Sequence, residues 1–264
     1  MKTGKRVFAV LAALLVLAAC MTGCSKQGTA MKQIEQTGVL TMMTATGFPP
    51  YEYIDENGNP AGVDIDLAQL VADKLGVELE VLDMDFNLLI DSLKGGKGQL
   101  VAAAMSSSPD RASQIDFSVQ YHSDGQCLMI PKGSSIAGVD DLTGKVVTVQ
   151  ESTTGHIYAE EELGLEVMSF KNAVECATAI MSGKADAAVL DKITVDTLVA
   201  ANPNKLDAVP ELLTDEGYAL GIAKGNEDFL KVVNEVLEQA LADGTIDELK
   251  EKHKEICKNL QNAE

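Results

Sequence analysis

Along most of the chain the apolar positions change period, from every second residue to every third or fourth and back, the mark of alternating strands and helices. Val39 to Thr44 reads as a strand. Asp64 to Leu75 places Ile65, Leu67, Leu70, Val71 and Leu75 mostly on one helical face, and Gly76 follows where a helix end favours positive φ. Val77 to Leu82 alternates again as a strand. Asn87 to Lys94 reads as a short helix stopped by Gly95 and Gly96, and the almost wholly apolar run Gln99 to Met105 as a strand of the kind buried in a parallel sheet. A second series follows: a strand at Lys145 to Gln150, a helix near Gly155 to Leu163, a strand at Leu165 to Ser169, a helix from Asn172 to Met181 and a strand at Ala185 to Leu190. Two β-α-β-α-β units predict an α/β protein of two lobes with a cleft between them. On open parallel sheets ligands bind beyond the carboxyl ends of the strands, so the function is sought there.

The chain start follows a different pattern. Lys2, Lys5 and Arg6 precede an uninterrupted apolar run, Val7 to Ala19, that is shorter than the ~20 residues a membrane-spanning helix needs. This reads as an export signal. Leu17-Ala18-Ala19-Cys20 and Met21-Thr22-Gly23-Cys24 each resemble a bacterial lipobox, in which small residues precede a cysteine that is lipidated and becomes the mature N-terminus. Cys24 is the expected lipidation site and Cys20 the alternative, because the polar stretch after Cys24 suits a tether. The expectation is a signal peptide and lipobox over 1–24, a tether over 25–37, and a protein held by lipid outside the cytoplasmic membrane.

Composition narrows the function. With 40 acidic against 21 basic residues the formal charge is −19, and no basic stripe is present, which argues against a nucleic-acid partner. Cys127, Cys176 and Cys257 are odd in number and far apart, so they read as small buried apolar residues rather than a disulfide framework or zinc site. His122, His156 and His253 are equally scattered, and no metal or cofactor is expected. Dinucleotide, nucleotide-phosphate, metalloprotease and serine-hydrolase motifs are all absent from the sequence. Gly95-Gly96-Lys97-Gly98 follows a helix rather than a strand and reads as a plain turn.

What stands at the predicted strand ends suits a zwitterion. Gly47-Phe48-Pro49-Pro50-Tyr51-Glu52-Tyr53 is a stiff turn carrying aromatic rings. Ser106-Ser107-Ser108-Pro109-Asp110-Arg111 puts hydroxyls and a guanidinium close together. Ser152-Thr153-Thr154-Gly155 opens a helix, and Asp191 directly follows the last strand. Each has a plain structural reading beside the functional one: Ser106 to Asp110, Thr153 and Asp191 could cap helices, and Phe48 could belong to the core.

Phe48-Pro49-Pro50-Tyr51-Glu52, Gly62-Val63-Asp64-Ile65-Asp66-Leu67-Ala68, Asp85-Phe86-Asn87-Leu88-Leu89-Ile90, Ser108-Pro109-Asp110-Arg111, Asp116-Phe117-Ser118 and Asp186-Ala187-Ala188-Val189-Leu190-Asp191 resemble the motifs of polar amino-acid binding proteins of the family 3 type. That family comprises extracytoplasmic receptors of ABC importers, among them histidine, glutamine and lysine/arginine binders, and the likeness runs from about Gly38 to Lys254. The resemblance implies a type II periplasmic-binding-protein fold with two α/β lobes, a ligand cleft and two crossover strands, near Gln120 to Gln126 and Asp215 to Ala219. Lobe one is then 38–121 and 218–264, and lobe two 122–217. In the family's pattern Arg111 grips the ligand carboxylate, joined by the Ser106 hydroxyl and a backbone contact at Ala104, while Thr153 and Thr154 are donors from the opposite lobe. Asp191 corresponds to the acid for the α-ammonium, Phe48 and Phe86 to rings packed on the ligand side chain, and Gln150 to a side-chain reader.

Physics favours the same pairing, since both charges of a buried zwitterion must be paired and a guanidinium fork matches a carboxylate. With cation and acid on different lobes, the ligand itself bridges them and favours closure. The expectation is a monomeric, non-enzymatic receptor that binds an L-amino acid and delivers it to an ABC permease. Ala45 stands where basic-ligand relatives carry an acid, and with Gln150 this points to a polar uncharged ligand; Ser152 stands where glycine is commoner. Two alternatives remain open: ligand sensing without transport, and an enzyme resembling cyclohexadienyl dehydratases, for which Glu151 is the uncommitted acid near the site.

Overall fold

A computed structural model describes residues 29–260; the expected signal peptide, Cys20 and Cys24 lie outside the described residues. Helix α1 (Ala30–Thr37) is capped by the Thr29 hydroxyl at one end and by Gly38, at φ 70°, at the other. Its Ile34 is buried, so residues 30–37, expected as part of a tether, dock instead onto the folded body. Strand β1 (Val39–Thr44) leads to the short hairpin β2 (Tyr53–Ile54) and β3 (Pro60–Ala61). Helix α2 (Val63–Leu75) starts after Gly62, whose φ of 142° and tight seat leave no room for a side chain, since a Cβ there would lie 1.9 Å from the Tyr51 carbonyl oxygen. Strand β4 (Glu78–Asp83), helix α3 (Leu89–Lys94), strand β5 (Leu100–Val101), helix α4 (Pro109–Gln114) and strand β6 (Asp116–Phe117) complete the first series.

Strand β7 (His122–Asp124) carries the chain away to β8 (Gln126–Pro131), β9 (Val147–Gln150), helix α5 (Thr154–Ile157), β10 (Val167–Phe170), α6 (Ala173–Met181), β11 (Ala187–Asp191), α7 (Lys192–Ala201) and β12 (Leu206–Val209). Strand β13 (Glu216–Tyr218) returns it to β14 (Gly221–Ile222) and the helices α8 (Glu227–Ala242) and α9 (Thr245–Leu260).

Two five-stranded sheets result, in the orders β4-β1-β5-β14-β6 and β10-β9-β11-β8-β12. Each has a parallel trio, with the first strand of its series central, joined by an antiparallel neighbour beside the third strand. Strands β7 and β13 pair antiparallel, Tyr218 opposite His122, and are the two chain passages between the sheets. Alternation explains the layering. Leu40 and Met42 of β1 face the core shared with Leu67, Val71, Phe229 and Val233, while Met43 faces the opposite side with Leu89 and Leu93. Each such side chain, fully buried, contributes roughly 1.5–3 kcal/mol. Cys127, Cys176 and Cys257 are buried free thiols.

The largest departure from the sequence pattern is at 99–105. Only Leu100–Val101 is strand, because the chain turns at Ala104, which takes φ 43° with its N–H donated to the buried Asp64 Oδ2 at 2.7 Å. The apolar run is buried as expected, but a tertiary hydrogen bond, not strand pairing, sets its second half.

Candidate functional site

Phe48, Phe86, Ala104, Ser106, Arg111, Gln150, Thr153, Thr154 and Asp191 all line one narrow cleft between the two sheets, together with Glu52 and Ala103. They come from five stretches of chain, which the fold gathers at and beyond the carboxyl ends of β1, β4, β5, β9 and β11. Ala45 is buried beside this cleft among Met43, Leu89 and Val101 and is not part of its wall.

Arg111 sits one turn into α4, whose start is fixed by Pro109 and the Ser108 hydroxyl. Its guanidinium donates Nη1 to the Ser106 carbonyl at 2.9 Å and Nη2 to the Ser152 carbonyl, on the other half of the molecule, at 3.1 Å. The Phe86 ring lies under it, 5.2 Å from ring centre to Cζ. Burial lowers the Arg111 pKa and the charges of Glu216 and Asp191 oppose that, so the group stays a cation.

Asp191 ends β11 and occupies the position before α7, but its side chain makes no cap bond there. Instead Oδ1 accepts from the Tyr218 hydroxyl at 2.7 Å. Burial lifts its carboxyl to about 7, with Glu216 adding to the rise and the Tyr218 and Gln126 bonds opposing it. The mirror of this contact is Asp64, whose Oδ1 accepts from the Tyr121 hydroxyl at 2.7 Å; burial raises it too to about 7. Tyr121 and Tyr218 flank the two chain passages, and each addresses a buried aspartate in a different half. Tyr51 packs edge-on against Tyr218 with ring centres 5.2 Å apart, so an aromatic cluster backs the cleft.

Thr153 is the cap of α5: its hydroxyl donates to the Gln150 carbonyl at 2.8 Å and accepts from the His156 N–H at 3.2 Å. It lines the wall with its hydroxyl proton already used, and the Ala104 N–H is likewise committed to Asp64. Ser152 takes φ 64°, with its N–H donated to His156 Nδ1 at 3.0 Å. Glu151, the acid required by the enzyme alternative, accepts from Lys171 Nζ and does not line the cleft.

Two acids were not identified from the sequence. Glu216 on β13 accepts four hydrogen bonds: Ser106 Oγ and Thr154 Oγ1 on Oε2, each at 2.6 Å, and Thr214 Oγ1 and Gln126 Nε2 on Oε1, at 2.8 and 3.2 Å. It thereby holds a hydroxyl from each half. Gln126 is admitted by Gly155, where a Cβ would lie 2.4 Å from Gln126 Oε1. Glu52, which bridges back to Phe48 in the turn after β1, is buried in the cleft wall. Burial first, then Asp64, Asp191 and Asp83, pushes its carboxyl well above the ordinary range. Its place in the turn motif was the only signal in the sequence; Glu216 had only its position on the expected return crossover.

A cleft between two α/β halves joined by two strands, lined by a guanidinium from one half and a carboxyl from the other, defines a solute receptor of the type II periplasmic-binding-protein fold. Residues 40–255 match the family model of bacterial extracellular solute-binding proteins, family 3, and the chain belongs to that family. It is 31% identical to an arginine-binding extracellular protein of Bacillus subtilis (strain 168), over 90% of this chain and 96% of that one. Among solved structures it is similar to a mutant of ArgBP from T. maritima, with 36% identity, a TM-score of 0.80, and coverage of 84% of this chain and 98% of the other. It is also similar to an ancestral amino acid-binding protein that is a precursor of cyclohexadienyl dehydratase, at 32% identity and a TM-score of 0.77, over 85% and 99% of the two chains.

Proposed function

We propose that this protein binds an L-amino acid outside the cytoplasmic membrane, closes two lobes around it, and presents it to the permease of an ABC importer. The observation that carries the reading is the pairing of Arg111 and Asp191, one from each half, across a single cleft. The ligand carboxylate meets the Arg111 fork and the α-ammonium meets Asp191, so neither charge is left unpaired out of water. Lobe one is 38–121 with 218–264 and lobe two 122–217, and the β7 and β13 strands are the pivots. Ser106 and Thr154 pass from Glu216 to the ligand or share it, so that without a ligand Glu216, along with the Arg111–Ser152 bond, ties the halves together. The family membership supports delivery to a transporter, and the naming of the relatives as binding proteins supports binding without chemistry. The mature chain is a monomer anchored through a lipid on Cys24, with Cys20 the alternative; mass spectrometry of detergent-extracted protein distinguishes the two.

The test is a thermal-shift screen of residues 31–264 against the common L-amino acids, several sugars and prephenate, with calorimetry on each hit. A ligand at a hundredfold excess over Kd stabilises the folded state by about 2.7 kcal/mol, which is readily seen. A shift with one or a few L-amino acids supports the receptor reading. A shift with none of them, on protein shown to carry no bound ligand, overturns it.

A further inference from the structure

The halves also touch directly outside the cleft wall. The carbonyl of Gly47, in the turn after β1, accepts the Val174 N–H of α6, in the other half, at 3.2 Å. Asp85, just beyond β4, meets Lys171, just beyond β10, at 2.9 Å, and Lys171 also reaches Glu151 at 3.2 Å. Gly47, Asp85, Lys171 and Val174 all stand outside the set of residues that lines the cleft. The strand orders locate these contacts. β4 and β10 are edge strands at one end of their sheets, whereas β6, which leads into β7, and β12, which leads into β13, are the edges at the other. The contacts therefore lie on the flank opposite the two chain passages, where opening about those passages separates the halves most.

Both sides are built for this approach. The Gly47 turn is braced within its own half: the Gly47 N–H donates to the Glu52 carbonyl at 3.0 Å, and Thr46 donates its N–H and its hydroxyl to the two Asp83 oxygens at 2.8 and 2.7 Å. Gly47 takes φ 103°, and a Cβ there would lie 2.7 Å from Asn172 Cβ, so a side chain at 47 would push α6 away. On the other side, the first turn of a helix has N–H groups without intrahelical acceptors. In α6 the Asn172 side chain serves the Glu175 N–H at 2.9 Å, and the Val174 N–H finds its acceptor across the gap. The bonds of Arg111 to Ser152 and of Glu216 to Ser106 and Thr154 use groups that a ligand claims; the Gly47 and Asp85 contacts do not. From this geometry, and resting on the amino-acid receptor reading above, we infer that Gly47–Val174 and Asp85–Lys171 form a latch across the cleft mouth that holds the halves closed independently of the ligand and sets how fast any ligand escapes. Because the latch touches no ligand, loosening it speeds the release of every ligand by one common factor.

The experiment is stopped-flow release, in wild type and Gly47→Ala, of each common L-amino acid that binds wild type, with L-arginine, L-histidine and L-glutamine among those tried, together with small-angle X-ray scattering of both proteins without ligand. Gly47→Ala is expected to release each amino acid about three- to tenfold faster, the range for one lost hydrogen bond, by the same factor for all of them. Its ligand-free radius of gyration is expected to exceed that of wild type. Unchanged release overturns the proposal, as does a factor that differs severalfold between ligands, which would put Gly47 in the binding wall; amino-acid binding itself stands in both cases. If Gly47→Ala does not fold, Asp85→Asn and Lys171→Gln decide: each should speed release by about twofold at low salt, add nothing to the other when combined, and have no effect at about 0.5 M salt. No effect at low salt then overturns the latch. If no amino acid binds wild type, the receptor reading fails, and scattering alone decides the latch, an unchanged radius of gyration in Gly47→Ala overturning it.

Discussion

The two halves follow one strand plan and solve the same problem differently. In each, the third strand of the series leads to the charged group: β5 toward Arg111 and β11 to Asp191. Yet β11 runs unbroken to its acid, whereas β5 ends at Val101 and the chain passes through the turn at Ala104 and the start of α4 before the guanidinium appears. Side-chain reach explains the contrast. A short carboxylate must be carried to the cleft by the backbone, while a long guanidinium can be sent from a helix set further back. The longer route needs its own brace, which is the Asp64 carboxylate on the Ala104 N–H.

The contrast can be broken most forcefully at the charges themselves. Arg111→Ala is expected to weaken amino-acid binding by roughly 2–5 kcal/mol, the usual result of truncating one partner of a buried charge pair, and calorimetry checks it. Normal affinity in that variant would remove the carboxylate site from this cleft. Asp191 gives the opposing half a pH signature. Its carboxyl lies at about 7 without ligand, so protonation below that removes the partner of the ammonium. Affinity should fall by about tenfold per pH unit below 7, and the fall should be absent in Asp191→Asn. The stability of the ligand-free protein should move the other way. Asp64 and Asp191 lie at about 7 when folded and near 4 when unfolded, so the folded state binds the extra protons and gains stability as pH falls from 7 toward 4. Denaturant melts at pH 7.5 and 5.5 read this directly.

Asp64→Asn tests the brace: it should cost about 1–3 kcal/mol of stability by replacing an acceptor of two hydrogen bonds with a group that also donates. Ser152→Gly should change stability by less than about 1 kcal/mol, since relief of the φ of 64° is offset by a more flexible unfolded chain.

The sequence shows the strands and helices best where local pattern and tertiary demand agree. Val39–Thr44 is found as expected, and the helix ending at Gly76 has the left-handed cap its glycine foretold. The run 99–105 misleads because apolar residues can be buried without being strand, and nothing near Ala104 in sequence reveals that Asp64 claims its N–H. The nine candidate site residues fall in one cleft: the predicted strand ends point to the segments holding Phe48, Ser106 with Arg111, Thr153 with Thr154, and Asp191, whereas Phe86, Ala104 and Gln150 come from the family resemblance. Glu216 and Glu52 were passed over. Glu216 reaches the cleft only through a crossover strand that pairs with β7, and Glu52 through a tight loop closed by its own backbone bonds to Gly47 and Phe48. Their roles depend on where the chain returns, which no local period encodes.

That return also governs the order in which the molecule can be assembled. The second sheet is drawn wholly from residues 126–209, one continuous stretch, and can form as soon as that stretch is available. The first cannot, because β14 must slide between β5 and β6, more than a hundred positions earlier. Contacts so distant in sequence form slowly. The half bearing Arg111 is therefore begun first and finished last, and its open strand edges at β5 and β6 wait for Gly221–Ile222 while the other half is already complete.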